Sequence, residues 1–307
     1  MSVQLSIKAV IPAAGFGTRM LPAAKAVPKE MLPVLGKPTI QYVVEEAVAA
    51  GVRDVLMVVS RDKKAIEDHF DRSPELEARL AASNRLHLLA SVESLMRQVR
   101  IHTTRQPEMK GLGDAVLQAR EHVGGSPFLC LLGDTLFAPR EVGDDAGDVA
   151  SPPPPSVQLK EVFQRFDGRC SVIGLERVAR EKVSRYGIVD AEKVEEGVYR
   201  VRSLVEKPRP ENAPSDLAVA ARYLLTPDIF GLLEQTRPGA GGEVQLTDAL
   251  SQLAAATPVY GVVLRQRRHD IGSPEGWLAT NLRLARSDPS VWASLRGVID
   301  ELLGKAT

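Results

Sequence analysis

The residues best suited to chemistry begin in the stretch 8–29, KAVIPAAGFGTRMLPAAKAVPK. After the apolar Ala9-Val10-Ile11 comes a loop of small residues, including Ala14, Gly15, Gly17 and Thr18, and Arg19 ends it. Backbone with little or no Cβ can approach an anion closely and aim its N–H groups at phosphate oxygens. Arg19, Lys25 and Lys29 then add positive charge, and Glu30 follows directly. Two familiar phosphate loops do not fit. A dinucleotide fingerprint needs a third glycine where Met20 stands, and a Walker loop needs Lys-Ser or Lys-Thr after Gly17. A solvated turn with ordinary surface cations is the remaining alternative.

Other candidates are spread along the chain. Gln106 precedes a glycine pair, Gly111 and Gly113, and its amide can both donate to and accept from a base edge. The same residues also suit a plain loop leading into a helix. Asp134 ends the apolar run 127–132, where a carboxylate can hold Mg²⁺ or cap the following turn. Glu206-Lys207-Pro208 offers a carboxylate for hydroxyls and an ammonium for a phosphate, or a solvated ion pair at a sheet edge.

These residues need rigid elements behind them. Apolar runs at 9–11, 55–59, 101–106, 127–132, 170–175, 201–205, 217–225 and 259–264 predict strands. Helices are expected at 38–50, 63–70, 74–83, from 113, and at 157–166, 227–235, 244–255, 274–286 and 290–303. Alternating strands and helices predict an α/β unit with a parallel sheet, whose ligands bind at the carboxyl ends of the strands. The segment 138–155, with four consecutive prolines, reads as an exposed connector, and the basic run 265–268 as a solvated face. Lys+Arg and Asp+Glu balance at 39 each, so no global field draws the chain to nucleic acid or membrane. Cys130 and Cys170 lack metal-ligand spacing and read as reduced and buried. No leader or apolar span is evident, so a cytoplasmic location is expected.

With these residues in hand, G-x-G-T-R followed by Pro28-Lys29 resembles the signature of the sugar-1-phosphate nucleotidyltransferases. KAVPKEMLP at 25–33 is most similar to the bacterial members that use UTP and glucose 1-phosphate. Tyr186-Gly187-Ile188, Glu206-Lys207-Pro208 and GAGGEVQLTDA at 239–249 stand where that family has Y-G-V, E-K-P and G-A-G-x-E-I-Q-L-T-D-A. The resemblance spans nearly the whole chain and is weakest over 138–167.

It implies a Rossmann-like (GT-A-like) α/β fold: a mixed, mostly parallel sheet flanked by helices, with a smaller β-rich sugar-binding part. The single domain 1–307 would comprise a nucleotide half (1–137), a sugar-phosphate half (156–273) and C-terminal helices (274–307). The implied reaction is UTP plus glucose 1-phosphate giving UDP-glucose and pyrophosphate. Arg19, Lys29 and Asp134 would be catalytic, with Asp134 and Asp270 holding Mg²⁺. Ala14, Gly15, Gly17, Thr18, Glu30, Gln106, Gly111 and Gly113 would bind the nucleotide. Gly187, Glu206 and Lys207 would bind the sugar phosphate. The resemblance further implies a homodimer or homotetramer. A thymidylyltransferase of the same chemistry and a non-catalytic nucleotide-sugar-binding homologue are the alternatives.

Overall fold

The computed structural model describes residues 7–138 and 152–304. The first part runs β1 (Lys8–Pro12), β2 (Pro33–Val34), β3 (Lys37–Pro38), α1 (Thr39–Ala49), β4 (Asp54–Val59), α2 (Lys64–Phe70), α3 (Pro74–Ala82) and α4 (Ala90–Met96). It continues with β5 (Arg100–Arg105), α5 (Leu112–Leu117), α6 (Arg120–Val123), β6 (Phe128–Leu131) and β7 (Thr135–Ala138). The second part runs α7 (Pro155–Arg165), β8 (Ser171–Arg177), β9 (Gly187–Glu195), β10 (Val198–Glu206), β11 (Leu217–Leu225) and α8 (Asp228–Gln235). Then come α9 (Leu246–Ala256), β12 (Val259–Val263), β13 (Arg267–Asp270), α10 (Pro274–Ser287) and α11 (Pro289–Leu302).

One nine-stranded sheet, ordered β5-β4-β1-β6-β11-β8-β12-β10-β9, carries strands of both parts. Strand alternation puts Ala9 and Ile11 on one face of β1 and Val10 on the other. Ala9 and Ile11 pack with Val43 and Val44 of α1 and with Leu159 and Phe163 of α7. Val10 packs with Val116 of α5, Phe230 of α8 and Leu250 of α9. The result is helices on both faces of an α/β sheet, as expected.

The expected parallel order holds for part of the sheet only. β5, β4, β1 and β6 are parallel, and so are β8 and β12. The adjacencies β6/β11, β11/β8, β12/β10 and β10/β9 are antiparallel. Parallel neighbours need helical crossovers, which α1 to α6 supply among the first strands, whereas a tight turn at Gly197 (φ 73°) joins β9 to β10 as a hairpin.

A second difference bears on the site. Part of the basic run expected on a solvated face forms β13, which pairs antiparallel with β7. Arg268 there is only 11% exposed, forms an ion pair with Glu176 at 2.5 Å and lies over the Tyr186 ring. The β2–β3 hairpin, α4 and β7 were not expected from local pattern. Most of the proline-bearing connector, 139–151, lies outside the described residues; Pro152–Pro154 lead into α7. Both cysteines are buried free thiols. Among the described residues no helix is long and apolar enough to cross a membrane.

Candidate active site

The loop after β1 lies across the carboxyl ends of the parallel strands. Ala13 N–H donates to the Val58 carbonyl at 2.8 Å, which carries the chain one residue beyond the β1–β4 ladder. Gly17 then adopts φ 66°, ψ 33°, the left-handed conformation that other residues avoid. It opens a 3₁₀ turn, Thr18–Met20, whose Met20 is buried as an anchor. A second short turn, Lys29–Met31, follows Pro28 and brings Lys29 beside Gly15: a Cβ on Gly15 would lie 3.9 Å from Lys29 Nζ.

The loop and the strand ends enclose a cleft of about 340 Å³. Ala14, Gly15, Gly17 and Thr18 form one wall, and Gln106 and Gly111 stand among the residues opposite. Lys29, Glu30 and Asp134 also face it. Met109, Leu112, Leu132 and Glu243 are also among the lining residues and were not singled out as ligand residues from sequence. The signal for Glu243 was available, because it lies in the GAGGEVQLTDA stretch.

Lys29 Nζ donates to Asp134 Oδ2, and the two side chains are only 15% and 18% exposed. Asp134 sits in the turn between β6 and β7. Gly133 lets that turn lie against β1: its N–H donates to the Pro12 carbonyl at 3.2 Å, and an added Cβ would meet Ile40 Cδ1 at 3.2 Å. The β7–β13 ladder supplies the second carboxylate. Asp270 is opposite Thr135, and Ile271 N–H donates to the Asp134 carbonyl at 3.3 Å. Two acidic residues far apart in sequence are thereby held side by side, one in the turn before β7 and one at the end of β13. Arg19, largely exposed, reaches Asp270 Oδ2 at 3.8 Å, and Asp270 Oδ1 accepts from Gly272 N–H at 2.8 Å.

The electrostatics favour the charged forms of Lys29 and Asp134. Burial works against the Lys29 ammonium, but Asp134, Glu30 and Asp270 outweigh it, and its pKa is raised. Burial likewise works against the Asp134 carboxylate, yet Lys29 and, more weakly, Arg19 bring its pKa below the usual range. Glu30 is almost wholly buried; that burial raises its pKa, although Lys63 Nζ donates to Oε2 at 2.7 Å. Lys63 carries no local sequence signal, since it reads as the start of a surface helix.

On the opposite wall the Gln106 amide N–H donates to the Gly111 carbonyl at 3.0 Å and to Asp114 Oδ2 at 2.7 Å. Gly111 has φ 95°, and a Cβ there would meet Glu243 Cβ at 2.8 Å. Gly113 does not line the cleft. It is buried against Val244, whose carbonyl would lie 2.7 Å from an added Cβ. Both glycines therefore have a packing role: they admit the segment that leads into α9.

Gly187, Glu206 and Lys207 form a separate cluster outside the cleft lining. Gly187 and Glu206 are register partners in β9 and β10. Glu206 Oε2 accepts from Thr247 Oγ1 at 2.7 Å, and Lys207 Nζ lies 3.3 Å from Oε1. A Cβ on Gly187 would sit 3.1 Å from Thr247 Oγ1, so the hydroxyl and carboxylate present a close-set polar surface only beside glycine. Thr247 was not selected from sequence.

Among the described residues no group of three or more His, Cys, Asp or Glu side chains could hold a metal. The donor set of Asp134 and Asp270 suits a hard cation that binds through one or two carboxylates and takes its other ligands from water and phosphates, as Mg²⁺ does. It does not suit a closed zinc site.

Residues 8–287 match the family model described as nucleotidyl transferase. The chain is 44% identical over 302 residues to UTP–glucose-1-phosphate uridylyltransferase 2 of Streptococcus pyogenes, covering 97% of this chain and 96% of that protein. A solved UDP-glucose pyrophosphorylase in complex with UDP-glucose is similar at 39% identity and TM-score 0.81, over 92% of this chain and 99% of its own. A UTP-bound UGPase from Acinetobacter baumannii is similar at 35% identity and TM-score 0.83, over 96% of this chain and 99% of its own.

Proposed function

The chain belongs to the nucleotidyl transferase family, and on that premise we propose that it makes UDP-glucose and pyrophosphate from UTP and glucose 1-phosphate. One observation carries the assignment: Lys29 and Asp134 meet at a glycine-walled cleft, and the β7–β13 ladder brings Asp270, with Arg19 paired to it, beside Asp134. The UTP named for one similar structure and the UDP-glucose named for another support the choice of nucleotide and product.

An oxygen of the sugar phosphate attacks the α-phosphorus of UTP in line. The new P–O bond forms as the bond from the α-phosphorus to the β-phosphate oxygen breaks, and pyrophosphate leaves. The attacking oxygen is already ionised at neutral pH, so no covalent nucleophile or general base is needed. The protein must instead bring two polyanions together and fix their geometry. The N–H groups of the 14–18 loop cradle the triphosphate, and Arg19 neutralises the departing pyrophosphate. Lys29, released from Asp134 as substrate arrives, stabilises charge at the α-phosphate. Gln106 and Gly111 hold the base, and Glu30 supports that half of the cleft. Lys207 orients the incoming phosphate while Glu206 and Gly187 meet sugar hydroxyls, which makes 1–137 the nucleotide half and 156–273 the sugar half. Bound Mg²⁺ supplies charge neutralisation and Lewis-acid polarisation of the phosphates, and Asp134 and Asp270 would hold it. The setting is cytoplasmic, in keeping with two free buried thiols. Leu278, Leu282, Val298 and Leu302 of the C-terminal helices are exposed, which supports self-association as a homodimer or homotetramer.

Pyrophosphate release, measured over a grid of nucleoside triphosphates and sugar 1-phosphates with and without Mg²⁺, tests the assignment. The highest kcat/KM is expected for UTP with glucose 1-phosphate, and chelation should abolish turnover. Preference for dTTP would move the assignment to a thymidylyltransferase. Binding of nucleotide sugars with no turnover of any pair would make the chain a non-catalytic binder.

A further inference from the structure

Behind the candidate site, on the face of the sheet away from α5, lies a buried guanidinium that the reaction does not use. Arg222 of β11 is 1% exposed, and all five of its N–H groups are engaged. Nε donates to Glu46 Oε1 at 3.0 Å and Oε2 at 3.1 Å, and Nη2 donates to Oε2 at 2.9 Å. The other donors reach main-chain carbonyls. Nη1 bonds Ala221 at 3.1 Å and Leu132 at 3.3 Å, and Nη2 bonds Thr135 at 2.8 Å. Leu132 and Thr135 flank the Gly133-Asp134 turn. One rigid fork therefore grips the backbone on both sides of the carboxylate proposed to hold the metal.

The fork is itself fixed. Glu46, on α1, also accepts from the Ser156 N–H at 3.1 Å and from its hydroxyl at 2.6 Å, which seats the carboxylate at the start of α7. The Phe137 ring lies 4.8 Å from the guanidinium carbon. Ala221 has φ 57° and the β11–β8 register shifts between Val219 and Tyr223, so the strand bulges where Arg222 leaves it. Bulges re-aim side chains at the cost of regular pairing.

We infer that Arg222, oriented by Glu46, is a positioning residue for Asp134: it sets the conformation of the β6–β7 turn and hence the carboxylate's aim at a divalent cation. The inference rests on the proposed metal-holding role of Asp134. Lysine in place of Arg222 keeps a charge for Glu46 but cannot span two carbonyls from one planar group.

The test is made on the full chain with Mn²⁺ as the probe, its affinity in the presence of UTP read by electron paramagnetic resonance. Arg222→Lys should fold, with Mn²⁺ binding weakened about tenfold or more, the range seen when support behind a metal ligand is removed. Its kcat should fall in parallel while KM for UTP stays near wild type. A lower unfolding midpoint with unchanged Mn²⁺ affinity and kcat would mean a merely structural role and would overturn the inference. Asp134→Asn separates the two levels. If it binds Mn²⁺ and turns over like wild type, the metal role of Asp134 falls, and the inference with it. If it loses both while Arg222→Lys keeps both, only the positioning inference falls. Should Arg222→Lys not fold, Glu46→Gln is judged by the same two measurements, and wild-type values there overturn the inference.

Discussion

Replacing Lys63 by methionine tests the charge chain that runs from the residue before α2 to the cleft. Lys63 Nζ lies 2.7 Å from Glu30 Oε2, with the two side chains 6% and 2% exposed. Removing one member of such a pair leaves an uncompensated buried charge, which costs about 3–5 kcal/mol. Lys29 also acts on Glu30 and offsets part of the loss, which favours the lower end. At roughly 2 °C per kcal/mol for a chain of this length, Lys63→Met should lower the unfolding midpoint by about 6 °C. The double variant Glu30→Met/Lys63→Met removes both charges for side chains of similar volume, and it should return to within about 1 kcal/mol of wild type. Activity follows the same logic. In the single variant Glu30 competes with Asp134 for Lys29, so kcat measured well below the midpoint should fall. In the double variant kcat should recover, although KM for UTP should not, since Glu30 lines the cleft. Thermal unfolding by circular dichroism and pyrophosphate release supply the two readouts. A single variant within about 2 °C of wild type, or a double variant no more stable than the single, would refute the reasoning.

Lys29→Gln should lower kcat about 100- to 1,000-fold, the usual loss for one preorganised charge donor, and near-normal pyrophosphate release would remove Lys29 from the chemistry. Gly113→Ala places a Cβ 2.7 Å from the Val244 carbonyl; this overpacking should cost about 1–3 kcal/mol in urea unfolding, and an unchanged midpoint would disprove the close packing. Burial pushes the Cys130 thiol up to about 12 and that of Cys170 to about 11. Ellman's reagent at pH 8 should therefore label neither in the folded protein and both after denaturation. Burial holds the His69 pKa below its ordinary value, with Gln41 Oε1 3.0 Å away. The unfolded chain then takes up a proton near about pH 6.5 that the folded chain resists, so stability is full above that pH and declines below it. His69→Gln should flatten this acid limb; an identical slope in the variant would exclude His69 as its source.

The physics of the site turns on keeping opposite charges together where water is scarce. In the ligand-free protein Lys29 and Asp134 satisfy one another, as do Lys63 and Glu30. In the proposed reaction, incoming phosphates and their cation would exchange partners with the first pair, while the second would stay in place behind them. The cleft therefore need not hold an unpaired buried charge at any stage, a state that would cost several kcal/mol.

The sequence by itself determined the chemistry of the opening loop and the strands beneath it. Glycine at position 17, left-handed in the turn, and the apolar run of the strand before it follow from local backbone demands, and type and spacing express those demands directly. Tertiary structure decided the partners. Lys29 and Asp134 lie 105 positions apart, and Arg222 and Glu46 lie 176 apart. Asp270 joins the site only because 267–270 pairs as a strand with 135–138, whereas the basic run alone suggested a solvated face. Gly113, which the family resemblance offered as a nucleotide contact, is packed beneath Val244 and lies outside the cleft lining. Residue type limits what a side chain can do at its own position. Which charge it meets depends on chain segments folded against it from far away, and no local pattern carries that information.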